Sequence, residues 1–145
     1  MERRLRMRMV FHGAVVVLFG MLAGFPYAFV VTGDLPGSER AWRMAHLEGV
    51  LNGLVLLAVA GVAERLVLPP RGAAVLAWAL ILTGYCNVVA AVLGATFNVR
   101  GLVPGGSVVN TVVYTLFIIA IAGIFVGMAL VALGAWRAGN TSERS

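Results

Sequence analysis

The sequence predicts an all-α, polytopic membrane protein, with four transmembrane helices in an up-and-down bundle forming one domain over residues 1–145. Three observations carry that reading. Hydrophobic residues make up 61% of the chain, charged residues only 12%, and mean hydropathy is +0.96, well outside the range of a water-soluble domain. The apolar residues fall in four stretches, 10–32, 45–68, 73–95 and 108–136, each matching or exceeding the ~20 residues that a helix needs to cross ~30 Å of hydrocarbon. The connections at 33–43, 69–72 and 98–107 are short, which makes neighbouring helices antiparallel.

The first stretch follows Arg3, Arg4, Arg6 and Arg8, as the apolar core of a secretion signal would. It is longer than the 7–15 residues of such a core, and Phe25-Pro26-Tyr27-Ala28-Phe29 offers no small-residue cleavage site. A retained first helix is expected, kinked at Pro26, where neighbouring groups can re-satisfy the freed carbonyl. The second stretch opens on Trp42-Arg43-Met44-Ala45-His46-Leu47-Glu48 and is the polar one. The third contains Thr83, Cys86 and Asn87; a lone mid-span cysteine behaves as a small buried hydrophobe and says nothing of redox compartment. The fourth opens on Asn110, Thr111 and Tyr114, residue types suited to capping and interface anchoring.

The net charge of +5 rests on arginine alone. With the N-terminus inside, Arg3, Arg4, Arg6, Arg8, Arg65, Arg71, Arg137 and Arg144 fall on the cytoplasmic side, against Arg40, Arg43 and Arg100 outside. This asymmetry predicts a cytoplasmic (inner) membrane protein with both termini cytoplasmic. The basic tail is a topology determinant, and no nucleic-acid partner is expected.

Gly-x-x-x-Gly pairs at Gly20/Gly24, Gly49/Gly53 and Gly123/Gly127 each leave two side chains missing from one helix face. Lipid supplies no hydrophobic drive between helices, so such grooves serve close packing within the chain or between copies.

Ionisable groups inside a span cost about 2.5–3.5 kcal/mol on insertion scales and therefore face a cavity, a cofactor or a polar partner. That directs attention to His46, Glu48 and Asn52. At 100° per residue His46 shares a face with Gly49, Val50 and Gly53, a smooth strip beside an imidazole. Haem needs an axial imidazole, apolar walls and clearance for the porphyrin, so His46 is the candidate iron ligand and Gly49, Val50 and Gly53 the candidate cofactor-binding surface. The alternative is that His46 caps the outer interface and bonds a loop carbonyl. Glu48 and Asn52 lie about 120–160° around the helix from it and cannot share its face. A bend, another helix or a neighbouring subunit would have to bring them to one pocket; otherwise Glu48 pairs with Arg43, Arg40 or Arg100. Asn87 either hydrogen-bonds Asn52 across the helices or contributes to ligand binding. His12 starts the first helix at the opposite membrane face, so most of the membrane thickness separates it from His46 and a bis-histidine iron is excluded.

Taken in series, these residues resemble the styrene oxide isomerase family of small membrane proteins. The likeness runs through Phe11-His12-Gly13, Leu35-Pro36-Gly37-Ser38, Ala41-Trp42-Arg43-Met44-Ala45-His46 and Leu51-Asn52-Gly53. It continues through Gly84-Tyr85-Cys86-Asn87-Val88, Asn98-Val99-Arg100-Gly101 and Pro104-Gly105, in register over most of the chain. The resemblance implies a homotrimer binding haem b near its subunit interfaces, with His46 as axial ligand. It implies isomerisation of a hydrophobic epoxide to an aldehyde: ferric iron acts as Lewis acid, the C–O bond opens and a hydride migrates. Asn52 would orient the oxygen, and Asn52 or Glu48 of a neighbouring protomer would face the iron. The family pattern has a tyrosine where this chain has Ala91, an acid where it has Thr83 and a small residue where it has Glu48. Two other functions fit the same residues: a non-catalytic membrane haem protein for sensing, gas binding or electron transfer, and a cofactor-free assembly or transport subunit.

Overall fold

The computed structural model describes residues 1–142; Arg144, counted above among the cytoplasmic arginines, lies outside the described residues. Four helices, each long and apolar enough to cross a membrane, make this a multi-pass all-α membrane protein.

Helix α1 (Arg3–Thr32) begins seven residues before its apolar stretch. The arginine-rich segment is helical because Met9 is fully buried, Leu5 packs on the same core, and Arg6 forms an ion pair with Glu64. Hydropathy marks the part of a helix that sits in hydrocarbon, not where the helix starts. The helix runs on through Pro26 and ends at Gly33, whose φ of 83° is a left-handed conformation open to glycine.

Helix α2 (Glu39–Val62) likewise starts before its expected boundary, shortening the α1–α2 loop to 33–38. Ser38 accepts a hydrogen bond from the Ala41 N–H and Glu39 sits in the first turn, where the helix dipole favours an acid. At the other end the expected span to residue 68 is corrected: α2 stops at Val62, a single 3₁₀ turn covers Ala63–Arg65, and the chain continues extended. Leu66 is buried there, and the Val67 N–H bonds the Gly134 carbonyl, so these apolar residues strap α2 to the last helix instead of prolonging the span.

Helix α3 (Pro70–Phe97) has proline at its first turn, where no N–H is needed, and Asn98 in the left-handed region at its end. Helix α4 (Val108–Ser142) runs to ~52 Å by helical rise. The packing is not four-square. Helix α1 lies along α2, α2 and α1 both meet α3, and α4 packs chiefly on the far side of α3. Helix α3 is accordingly the most buried span, and α4 the least.

The glycine grooves decide how closely the helices approach. A Cβ on Gly20 would lie 2.8 Å from the Gly49 Cα, and one on Gly53 would lie 2.7 Å from the Gly13 carbonyl oxygen. Gly127 is filled by Leu80 of α3, and Gly123 by Thr83, whose hydroxyl is oriented towards the Ala79 and Ala120 carbonyls. The half of the core nearer the N-terminus is built from large side chains such as Met9, Leu56, Leu76 and Leu80, the half towards the α1–α2 loop from Ala23, Ala45, Ala91 and Ala95. Small residues there leave space at that end.

Candidate functional site

His46 sits on the seam between α1 and α2. Its Nδ1 lies 2.9 Å from the Gly20 carbonyl oxygen. A carbonyl only accepts, so Nδ1 carries the proton and the lone pair of the neutral ring is on Nε2. Among the described residues Nε2 has no protein hydrogen-bond partner. A metal-ligating histidine typically donates its other N–H to a carbonyl or carboxylate, and the bond to Gly20 matches that pattern. Gly24, one turn along α1, clears the ring: a Cβ there would stand 3.1 Å from Nδ1. The partner is a helix carbonyl, not the loop carbonyl considered from sequence.

The strip beside the imidazole is corrected. Gly49 and Gly53 are buried against the backbone of α1 at Gly20 and Gly13, and the backbone of Val50 abuts Gly20, so over this strip the missing side chains admit a helix and not a macrocycle. The same residues that suggested clearance for a flat cofactor are the ones a close helix crossing uses.

Glu48, Asn52 and Asn87 form one chain of hydrogen bonds on the other side of α2. The Asn52 Nδ2 donates to the Glu48 carboxylate at 2.9 Å and to the Glu48 carbonyl at 2.8 Å, while the Asn87 Nδ2 donates to the Asn52 Oδ1 at 3.3 Å. The Asn52 amide thus ties the Glu48 side chain to α2, and Asn87 ties Asn52 to α3. Asn87 thus joins α3 to Asn52 as one of its two sequence readings expected. Glu48 takes no arginine: among the described residues none lies within ion-pair distance of it. His46 turns towards α1 and the Glu48–Asn52–Asn87 chain towards α3, so within the chain they are not brought together.

His12 pairs with Tyr85 of α3, Nδ1 to hydroxyl at 2.9 Å, with Phe11 and Trp78 packed around the ring. Its distance from His46 needs revision. His46 docks at Gly20, eight residues or ~12 Å along α1 from His12, because α1 extends well beyond its apolar stretch on the N-terminal side. That gap is still too wide for two ligands on one iron. Among the described residues no three His, Cys, Asp or Glu side chains gather to hold a metal by themselves.

At the end of the bundle that carries the α1–α2 and α3–α4 loops a cleft of about 410 Å³ opens between α2, α3 and the loop leading into α4. Glu48 reaches it from α2; Ala90, Ala91, Gly94 and Ala95 of α3 form its wall, and Arg40 and Arg100 line it near the surface. The loop is pinned by Asn110, whose Oδ1 accepts from the Gly101 N–H and whose Nδ2 donates to the Val103 and Gly105 carbonyls. Sequence reasoning gave Asn110 a capping role and missed this one. It also missed Gly20 as the partner of His46, since every residue has a carbonyl and nothing in its identity advertises that use.

The fold and site define a four-span membrane protein with one half-buried imidazole oriented by a helix carbonyl and, opposite it, a polar chain whose Glu48 lines a cleft. The model of the family described as styrene oxide isomerase matches residues 5–136, and the chain belongs to that family. A comparison with curated proteins finds no match.

Proposed function

We propose that this chain is a membrane isomerase that rearranges a hydrophobic epoxide to an aldehyde, with haem b held through His46. The observation that carries the reading is the Nδ1–H bond from His46 to Gly20, which leaves Nε2 free and oriented. A porphyrin iron needs only one such protein ligand, which agrees with the absence, among the described residues, of any cluster of three His, Cys, Asp or Glu side chains. Bound there, haem supplies a Lewis acid for the epoxide oxygen.

The chain's own groups do the rest. Asn52, whose amide hydrogens both go to Glu48, holds that carboxylate at the cleft; Glu48 supplies the negative charge for the carbon that becomes positive as the C–O bond opens; the alanine-rich wall keeps water from that carbon. His46 and this polar chain face opposite ways, so a site using both draws His46 from one copy and Asn52 and Glu48 from another. That geometry favours a homo-oligomer, and the family resemblance favours a trimer, embedded in inner-membrane lipid with both termini cytoplasmic.

The test is the absorption spectrum of detergent-purified protein supplied with haemin, followed by aldehyde assays on a panel of aryl and alkyl epoxides. A Soret band lost in His46→Ala and kept in His12→Ala supports the ligand. An unchanged spectrum in His46→Ala removes it. A haem protein without isomerase activity is the second reading, favoured by Thr83, which stands where the resemblance implies an acid: the residue is only 2% exposed and its hydroxyl is spent on helix packing. Haem binding without aldehyde from any epoxide would select that reading.

A further inference from the structure

We infer that the cleft selects epoxides that carry an anionic group at the far end of an apolar body; this names the substrate class for the isomerase reading and rests on it. Arg40 and Arg100 both line the cleft, both are exposed, and among the described residues neither has an acid within ion-pair distance. Arg100 is not on a loose loop, because the next residue, Gly101, is tied to Asn110. The acid that lines the cleft, Glu48, is eight residues further along α2 than Arg40, about 12 Å deeper, and its carboxylate is already engaged by Asn52. Between these levels the wall is hydrocarbon: Met44 of α2, Ala91 and Ala95 of α3, and Phe117 of α4.

The cleft is therefore cationic at its mouth, apolar along its length and acidic at its floor. A guanidinium pair matches a carboxylate in charge and in hydrogen-bond geometry. The carbon that becomes positive during ring opening is best placed at the other end, beside Glu48. A neutral epoxide uses only half of this polarity, and a cationic one meets two guanidiniums first. The volume, about 410 Å³, is in the range that encloses drug-sized molecules, more than a compact aryl epoxide requires.

The experiment compares two substrates in phosphatidylcholine nanodiscs: a styrene oxide whose para alkyl chain ends in a carboxylate, and its methyl ester. The expected result is a kcat/KM about tenfold higher for the acid, shrinking with added salt, and a ratio near one in R40Q/R100Q. Equal kcat/KM for acid and ester in the unmodified protein overturns the inference. If neither gives aldehyde, the isomerase reading fails and a binding arm decides this one separately. The saturated carboxylate lacking the epoxide should raise the melting temperature of the unmodified protein and not of R40Q/R100Q; no difference between that acid and its ester overturns it. A shift reproduced by phosphatidylglycerol in the nanodisc assigns the arginines to lipid and overturns it as well.

Discussion

The imidazole of His46 on the second helix donates its Nδ1 proton to the carbonyl oxygen of Gly20 on the first, at 2.9 Å, next to a glycine that leaves room for the ring. One bond thus fixes tautomer, orientation and the helix pair that must be intact for either.

Gly24 controls that orientation sterically. A methyl group at this position stands 3.1 Å from Nδ1; if His46 holds haem as proposed, Gly24→Ala should shift the Soret band and Gly24→Leu should lower haem stoichiometry at least severalfold. Absorption spectra of the purified variants measure the first and pyridine haemochrome titration the second.

Gly20→Ala and Gly49→Ala push a Cβ into backbone atoms of the facing helix, at 2.8 Å and 2.5 Å for the atoms Gly49 Cα and Gly20 N. Each should cost about 1–3 kcal/mol of stability as the helices separate. Gly61→Ala, which meets nothing within 4 Å, should be neutral or gain up to about 1 kcal/mol from helix propensity. Detergent-dependent unfolding followed by circular dichroism separates the three.

The Asn52–Asn87 bond should appear as coupling. A double-mutant cycle with Asn52→Ala and Asn87→Ala should return about 0.6–2 kcal/mol, the scale of interhelical hydrogen bonds in membranes. Asn52→Ala should be the costlier single change, because it also strips Glu48 of its donor.

Thr83 and Gly123 are a size-matched pair across the α3–α4 seam. Gly123→Ala should destabilise by about 1–3 kcal/mol through collision with the Thr83 hydroxyl and the Ala79 carbonyl, and adding Thr83→Ala should recover part of that loss. Equal melting of the single and double variants would show that the Ala79 carbonyl, not the hydroxyl, limits the approach.

Much of the fold was legible because hydrocarbon length and composition constrain a membrane chain so strongly. The boundaries were less so. Residues 3–9 and 39–44 are helical although polar, since Met9, Leu5 and the Ser38 cap hold them, and 66–68 are apolar although not helical, since they strap onto α4. For the site, the helix period separated His46 from Glu48 and Asn52 correctly, and the Asn52–Asn87 contact followed from two amides needing partners in adjacent spans. The glycine strip misled because a helix backbone and a flat cofactor ask for the same absence of side chains, and periodicity cannot say which one comes.

By itself the sequence determined that four spans cross the membrane, which family the residues resemble, and which few polar side chains need partners inside hydrocarbon. Those outcomes follow from transfer free energy and local helical geometry. Tertiary structure alone decided that Gly20 supplies the carbonyl for His46, that α1 fills the Gly49–Gly53 groove, and that Arg40, Arg100 and Glu48 share one cleft. Each depends on where helices distant in the chain come to lie, and van der Waals fit between whole surfaces sets that placement, which no local pattern encodes.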